Sequence, residues 1–235
     1  YRACREAASV FDFEVSIDET ETATTLEAHY FVARELTLLG VDYRSLAPRF
    51  VGEFQKGIDY IGDLGEFEEN FASHAALAGE MGYKISVHSA SDKFSAYPAI
   101  ARRLQGQMHI KTSGTNWLAA IKVIAGIDPG FYRKLHTYAH EIFPIASSYY
   151  HVTPDMDAVE DLDSVSDEDL PAVLDNPNDR QILHVSYGEV LKVPEFKENI
   201  YKLLNANITA YWDELERHIG RHIDLLGKLE PSVRL

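Results

Sequence analysis

The chain has 235 residues, of which 46% are apolar and 11% aromatic. This composition supports one substantial hydrophobic core or two small ones and excludes a disordered protein. The formal net charge is -15, and residues 155–179 supply most of it, with ten Asp or Glu and no Lys or Arg. Because no basic stripe is present to neutralise a phosphate backbone, we expect no nucleic-acid partner.

Signals for a membrane or for secretion are missing from the sequence. No run approaches the ~18 apolar residues that a membrane-spanning helix needs, and the start carries no signal-peptide pattern. Cys4 is the one cysteine, so no internal disulfide can form, and we expect a reducing cytoplasm and no membrane partner. The chain begins with Tyr1 rather than Met, and we therefore expect a processed product or a fragment.

The apolar pattern of the first half predicts alternating strands and helices. In chain order the predicted elements are a strand over 11–17, a helix over 22–39, an extended segment over 41–50 and a helix over 66–81. Gly40 and Gly82 stand where the two helices should end. Two further strands begin at Lys84 and Met108, and a short helix over 96–104 lies between them.

The second half continues the pattern. A helix follows Gly114, and another begins at Asp128, which can cap it while Pro129 occupies the first turn. A last strand is predicted over 181–188, and one long terminal helix is predicted over 196–226.

Five strand–helix units in series predict an α/β protein with a parallel sheet and right-handed crossovers. The TIM-type (β/α) barrel normally takes about 250 residues for eight units, so we expect an incomplete barrel of about five units. Residues 1–235 would form a single barrel-type domain, the carboxyl-terminal portion of a longer barrel. Residues 155–179 would be a solvated acidic excursion, with a lid or a cation site as the alternative. An open doubly wound sheet is the second choice, weakened because no GxGxxG turn follows a strand.

Polar residues follow the predicted strands, where parallel sheets place their chemistry. His88, His109 and His184 each lie on a predicted strand. Each could be a packed core residue, but three such histidines could also converge at one end of a barrel. With a carboxylate from Asp18 or Glu19, they would form a mixed nitrogen and oxygen site suited to Mn, Co, Ni, Zn or Fe. Asp18 and Glu19 also suit a general acid or base, or a helix cap.

Lys111 shares a strand face with His109, and a lysine inside a barrel is costly unless it is paired. It could bind a substrate carboxylate or form a Schiff base. The loop that follows offers amide and hydroxyl donors at a helix start, where they could bind a carboxylate or simply cap the helix; its residues are Thr112, Ser113, Gly114, Thr115 and Asn116. Asp92 and Lys93 are further candidates for substrate binding, or they pair with each other.

The remaining histidines give weaker signals. His136 and His140, like His218 and His222, are spaced one helical turn apart, as in some zinc sites. Neither pair belongs to an HExxH motif and no third ligand is evident. We therefore expect both pairs to face outward in surface or packing roles.

Five segments, in order along the chain, carry a family resemblance: FEVSIDET (13–20), KISVHSASDKFSAYP (84–98), HIKTSGTNWLAA (109–120), YYHVTPD (149–155) and ILHVSYG (182–188). These segments resemble the tagaturonate/fructuronate epimerase family. The resemblance implies a cytoplasmic, metal-dependent sugar-acid epimerase of hexuronate catabolism that interconverts D-tagaturonate and D-fructuronate. Family members are longer, so this chain would correspond to their carboxyl-terminal part.

The two substrates differ at a hydroxyl-bearing carbon once removed from the ketone, which favours retro-aldol cleavage and re-addition, or a transient redox step. We expect a metal held by His88 and His184 with Asp18 or Glu19 to stabilise the enolate, while Lys111 and the following loop hold the carboxylate. One alternative is a class I aldolase, because Lys111-Thr112-Ser113-Gly114 resembles the Schiff-base segment of deoxyribose-phosphate aldolase-type barrels. Another is a truncated, inactive barrel that pairs with a second copy as a homo-oligomer and so covers the missing strands.

Overall fold

A computed structural model describes residues 1–104 and 107–227. The chain divides into two compact units. Among the described residues, the first comprises Tyr1–Phe54, Tyr60–Lys111 and the residues from Asp224 to Gly227, and the second comprises Gln55–Asp59 and Thr112–Ile223. The single-domain organisation of residues 1–235 stays a prediction. No helix in the described ranges is long and apolar enough to cross a membrane.

The first unit is an α/β structure around a parallel sheet. Its elements in chain order are α1 (Arg2–Ala7), β1 (Glu14–Ile17), α2 (Leu26–Leu38), β2 (Ser45–Pro48), α3 (Leu64–Met81), β3 (Lys84–Val87), α4 (Tyr97–Leu104) and β4 (Met108–Ile110). The four strands are parallel and lie in the order β1-β2-β3-β4. This confirms the α/β class and the alternation predicted for the first half.

The two faces of this sheet differ in chemistry because successive strand residues point to opposite sides. One face is apolar: Leu46, Ile85 and Val87 are fully buried in a core with residues of α2, α3 and α4. The other face carries polar side chains, and the strand register places Glu14 beside Ser45 and Ser86 beside His109. The polar face is therefore where the first unit can hold a site.

The helix ends follow local capping chemistry. The Thr25 side chain accepts a hydrogen bond from the backbone N–H of Ala28, so α2 begins later than the predicted residue 22. The Asp63 carboxylate accepts from the N–H of Glu66 at 2.8 Å, and α3 ends at Gly82, which adopts a φ of +81°. The predicted end at Gly82 is confirmed.

Helices α2 and α3 share a buried polar contact. The Nδ1 atoms of His29 and His74 are 2.8 Å apart, and the Nε2 atom of His29 is 2.8 Å from the Tyr83 hydroxyl. His74 Nε2 lies 3.1 Å from the backbone carbonyl of Thr24. Burial, together with the neighbouring His74, lowers the pKa of His29 to about 4, so the imidazole is neutral.

The described residues of the second unit form helices and short turns. The elements are α5 (Thr115–Ile127), α6 (Pro129–Ala146), 3₁₀ turns at Ser147–Tyr149, Met156–Ala158 and Leu170–Asp175, then α7 (Pro177–Val190), α8 (Pro194–Ala206) and α9 (Ile208–Gly227), of which the residues up to Ile223 belong to this unit. Asp128 caps α6 by accepting from the N–H of Phe131 at 3.0 Å, as predicted. The core of this unit is built from α5, α6, α7, α8 and the Leu170–Asp175 turn.

The predicted strand over 181–188 is wrong, because these residues lie inside α7. Ile182, Leu183 and Val185 are all buried, so the helix is apolar on several sides and shows no clear period. A buried helix and a buried strand cannot be separated by periodicity in such a run. The sheet accordingly has four described strands rather than five.

Two other expectations for the second half also need correction. The single terminal helix over 196–226 is two helices, α8 and α9, with a break at Asn207. The acidic stretch over 155–179 joins two helices rather than two strand–helix units. It is not fully solvated, because Leu170, Val173 and Leu174 are buried in the core of the second unit.

Replacing Asp63 with Ala should lower the free energy of unfolding by about 1 kcal/mol, because the Glu66 amide loses its acceptor. Urea unfolding followed by circular dichroism measures the change. Glu69→Ala is the matched control, since Glu69 is an exposed acid further along the same helix. Equal losses in the two variants would contradict the capping role of Asp63.

Candidate active site

The polar face of the sheet carries a group of ionisable side chains centred on Glu14. We call it the Glu14 cluster; its members are Glu14, Asp18, His88, His109 and Lys111. Glu14 is the first residue of β1, and Asp18 directly follows that strand. His88 follows β3, His109 lies in β4, and Lys111 follows β4. Four of the five members are candidates predicted from the sequence.

Glu14 connects the cluster. Its Oε1 atom is 2.7 Å from His88 Nε2 and 3.8 Å from the Lys111 ammonium, and its Oε2 atom is 2.5 Å from His109 Nδ1. The other ring nitrogen of His88, Nδ1, is 3.0 Å from a carboxylate oxygen of Asp18. His88 therefore bridges two carboxylates, and Glu14 contacts both imidazoles and the lysine.

Serine hydroxyls complete the hydrogen bonding of the polar face. Ser45 Oγ donates to Glu14 Oε2 at 2.7 Å, and Ser86 Oγ lies 3.1 Å from His109 Nδ1. The Ser16 hydroxyl donates to Asp18. Each of these serines sits on the same strand face as the ionisable group it contacts, so the sheet itself sets the spacing of the cluster.

The cluster is arranged to carry charge. Burial alone would raise the pKa of Glu14, but hydrogen bonds from Ser45, Ser86, His109 and His88 lower it to about 2. Burial also works against a charged Asp18, and its bonds with His88 and Ser16 lower its pKa overall. For His88 burial lowers the pKa, while hydrogen bonds to Asp18 and Glu14 raise it more. These directions favour the charged forms, two carboxylates and an imidazolium, and a protonated His88 donates to both carboxylates from its two nitrogens.

Two further candidates follow β3 in the first unit. Asp92 is buried and adopts a left-handed backbone with a φ of 62°, and Ser89 in the same segment has a φ of 49°. Such a conformation is strained for residues other than glycine and often marks a functional loop. Lys93 is fully buried, and its ammonium donates to the backbone carbonyl of Ser91 at 3.0 Å. Glu19, by contrast, is exposed to solvent.

The second unit brings several predicted residues into a cavity of about 270 Å³. The cavity lies at the start of α5, and its lining residues are Lys56, Ser113, Gly114, Asn116, Trp117, Tyr150, His184 and Tyr187. Lys56 Nζ sits 5.7 Å from the centre of the Tyr150 ring. The cavity thus combines a cation, amide and hydroxyl groups and aromatic walls, a combination that suits a small polar ligand.

His184 reaches this cavity from a helix and not from a strand. Its ring packs against Gly114, which has a φ of +90°, and a Cβ atom added at Gly114 would lie 2.3 Å from His184 Nε2. Thr115 Oγ1 donates to the carbonyl of Thr112 at 2.9 Å, and no side chain caps the Gly114 start of α5 among the described residues. The expectation of three strand-borne histidines is corrected for His184, which belongs to α7, whereas His88 and His109 share Glu14 on the sheet.

Sequence reasoning missed Glu14 and Lys56 and misplaced two helix histidines. Glu14 could have been found from the i, i+2 spacing of Glu14, Ser16 and Asp18, which puts three polar groups on one strand face. Lys56 carries no comparable signal. His136 and His222 were expected to face outward, but both are 4% exposed.

Replacing Glu14 with Gln should lower the pKa of His88, because one of its two carboxylate partners becomes neutral while the burial remains. An NMR titration of the His88 ring in metal-free protein measures the change. Glu19→Gln is the control, since Glu19 is an exposed carboxylate just beyond the end of β1, the strand that carries Glu14. It should leave the pKa of His88 unchanged. A pKa of His88 that is insensitive to Glu14→Gln would contradict the assigned contact.

Replacing Gly114 with Ala should destabilise the protein by about 1–3 kcal/mol, because the left-handed backbone and the His184 ring both oppose a methyl group. The thermal unfolding temperature reports the loss. Gly188→Ala is the matched control: Gly188 lies within α7, an added Cβ there meets no atom within 4 Å in the described part of the chain, and Ala favours a helix. An unchanged unfolding temperature for Gly114→Ala would show that His184 does not need this close approach.

Comparison with known proteins finds this chain similar to tagaturonate epimerases. The family model described as UxaE, tagaturonate epimerase, matches residues 1–226. A tagaturonate/fructuronate epimerase of Thermotoga maritima is 44% identical over 227 residues, which cover 96% of this chain and 47% of that protein.

Solved structures agree with the sequence comparison. The native crystal structure of fructuronate-tagaturonate epimerase UxaE from Cohnella laeviribosi matches with a TM-score of 0.91 and 46% identity, covering 93% of this chain and 46% of that one. Its complex with two glycerols matches with a TM-score of 0.92, covering 95% and 47%. The chain spans about half the length of these relatives, and on this evidence it belongs to the tagaturonate epimerase family.

Proposed function

We propose that the protein containing this chain interconverts D-tagaturonate and D-fructuronate, and that the Glu14 cluster contributes its acid–base groups. The observation that carries the proposal is a pair of carboxylates held on either side of one imidazole, on the polar face of the sheet. Family membership supplies the substrate class, because the relatives are named for these two ketouronates. The substrate is thus a small-molecule sugar acid.

The chemistry needs a group that takes a hydroxyl proton and returns it. In a retro-aldol step the hydroxyl proton passes to a carboxylate, the neighbouring C–C bond breaks, and its electron pair moves onto the ketone oxygen as an enolate. Rotation of the new carbonyl and re-addition invert the carbon and take the proton back. Asp18 is our candidate for the carboxylate. The Lys111 ammonium can stabilise the enolate oxygen, as can the His88 imidazolium in the protein without a bound cation. Glu19 as a base stays a prediction, and transient redox is the other possible course.

A divalent cation belongs to the proposal because the donor set fits one. Glu14, Asp18, His88 and His109 together offer carboxylate oxygens and imidazole nitrogens, the mixture that suits Mn, Co, Ni, Zn or Fe. His88 would have to lose its proton to join them. When bound, such an ion polarises a carbonyl and stabilises enolate charge. His184 as a metal ligand stays a prediction, now with a helix as its support.

The cavity of the second unit, taken by itself, is a candidate for binding a ligand that carries a carboxylate. The Lys56 ammonium and the amide end of α5 would attract the carboxylate, as helix starts do for anions. Ser113 and Asn116 add polar groups at the same end, and Trp117 and Tyr187 give apolar walls for the carbon chain. Substrate binding by Asp92, Lys93, Thr112 and Thr115 stays a prediction.

The geometry favours the epimerase over a class I aldolase. A Schiff-base lysine must react as a neutral amine. Lys111 Nζ lies 3.8 Å from the Glu14 carboxylate, so this geometry holds the lysine in an ion pair rather than presenting a free amine to a carbonyl.

We further propose that the four parallel strands are consecutive units of a (β/α) barrel in the longer protein. Their sequential order β1-β2-β3-β4 and the polar face opposite the helices are what supports this. Pairing of this chain with a second copy, to cover the remaining strands, is the corresponding proposal for the chain by itself. We also propose a cytoplasmic location, which the single cysteine supports.

Replacing Asp18 with Asn, or His88 with Gln, should lower kcat for tagaturonate epimerisation at least about 100-fold, because each change removes a proton-transfer or charge-stabilising group. NMR analysis of the sugar mixture follows the reaction. Glu21→Gln is the matched control, because Glu21 is an exposed acid beyond the same strand, and it should retain activity. Full turnover by Asp18→Asn would rule out the assigned base.

The same preparation separates the two reaction types. Treatment with borohydride in the presence of the ketouronate should leave Lys111 unmodified, and a chelator should reduce activity. A covalent adduct on Lys111, with activity that survives chelation, would establish the aldolase instead.

A further inference from the structure

Two histidines of α6 and one aspartate of α7 form a group that the proposed epimerase chemistry does not use; His136 and Asp179 are buried, and the His140 side chain is 22% exposed. His136 and His140 are one helical turn apart, with ring centroids 4.4 Å apart. Asp179, in the first turn of α7, is fully buried. Its Oδ1 atom is 2.6 Å from His136 Nε2 and 3.8 Å from His140 Nε2. One donor atom from each residue lies within 4.8 Å of the other two.

Two buried polar atoms, one in this group and one beside it, have no hydrogen-bond partner among the described residues. His140 Nε2 is buried without a hydrogen-bond partner in the described ranges, since 3.8 Å to Asp179 is too long for a hydrogen bond. The nearby Tyr132 hydroxyl is also buried without one among the described residues, and burial together with the Asp179 charge raises its pKa. Buried polar atoms are nearly always satisfied in proteins. Because the nearest Asp179 oxygen already contacts His136, we expect His140 Nε2 to bind a further partner.

Asp179 is prepared to act as an anionic ligand. Its second oxygen, Oδ2, accepts the backbone N–H of Glu160 at 3.1 Å, which fixes the direction of the carboxylate. Burial opposes its charge, but the interactions with His136, His140 and the Glu160 amide lower its pKa to about 2. The carboxylate is therefore ionised at neutral pH, as an anionic metal ligand must be.

We propose that His136, His140 and Asp179 bind a divalent transition-metal ion, with zinc as the best fit, and that this ion ties α6 to α7. Zinc takes imidazole nitrogen and carboxylate oxygen at about 2.0–2.2 Å in tetrahedral sites, which separates the ligand atoms by roughly 3.3 Å. The observed separations of 2.6 and 3.8 Å lie on either side of that value. The site lies wholly in the second unit and does not rest on the proposed epimerase activity.

Zinc titration of chelator-treated, full-length protein by isothermal titration calorimetry tests the proposal. His140→Phe keeps an aromatic ring beside His136 and removes one ligand, so it should lose one tight equivalent of Zn²⁺ or bind it at least about 100-fold more weakly. Tyr132→Phe is the matched control, since it alters the same buried group without removing a ligand, and it should keep that equivalent. Glu14→Gln should keep it as well, which assigns the equivalent to the second unit.

Circular dichroism of each variant confirms that it is folded. Asp179→Asn is the second variant, because asparagine still offers His136 an acceptor while the ligand charge is lost; it should show the same loss of Zn²⁺ as His140→Phe. The proposal is overturned if wild-type protein takes up no Zn²⁺, or if a folded His140→Phe or Asp179→Asn protein binds as many equivalents as wild type with equal affinity. In those cases the group only connects α6 and α7 through the hydrogen bond between His136 and Asp179. The epimerase assay tests the proposed function independently of this result.

Discussion

The alternation of side chains along four short parallel strands is the constraint on which the first unit depends. It gathers Ile85, Val87 and their apolar neighbours under three helices, where each large aliphatic or aromatic side chain contributes about 1.5–3 kcal/mol on burial. The same alternation gathers Glu14 and His109 on the opposite face. Partly burying a carboxylate there is costly, and the cost is offset because serine hydroxyls and two imidazoles contact Glu14 at once. Core and candidate site are thus products of one backbone geometry.

Much of the fold was predictable because its signals are local. The end of α3 at Gly82 and the start of α6 at Asp128 depend on contacts within one helical turn, and such contacts are visible in sequence. The strand predicted over 181–188 was wrong for a non-local reason. Its apolar residues are buried by other helices of the second unit, so the pattern lost the periodicity that separates a helix from a strand.

The candidate site divides along the same line. Asp18, His88, His109 and Lys111 were predictable because each lies in the last part of a strand or just beyond it. Glu14 was not, since it begins β1 and reaches the cluster only through the strand register. Asp179 escaped notice because it is distant in sequence from the histidines it contacts, so the pair on α6 lacked a third donor until the helices were packed.

The hydrogen bonds that connect His29 of α2 with His74 of α3 all run in one direction. The carbonyl of Thr24 can only accept, so His74 must donate from Nε2, and its Nδ1 then accepts from His29, whose Nε2 accepts from the Tyr83 hydroxyl. Each imidazole is confined to a single neutral tautomer. Protonation of His74 at Nδ1 would place two N–H groups opposite each other across the 2.8 Å between the two Nδ1 atoms. The histidines of the unfolded chain take up protons more readily. The free energy of unfolding should therefore fall as the pH drops below the ordinary histidine pKa towards about 4, so this pair of helices limits the stability of the protein in acid.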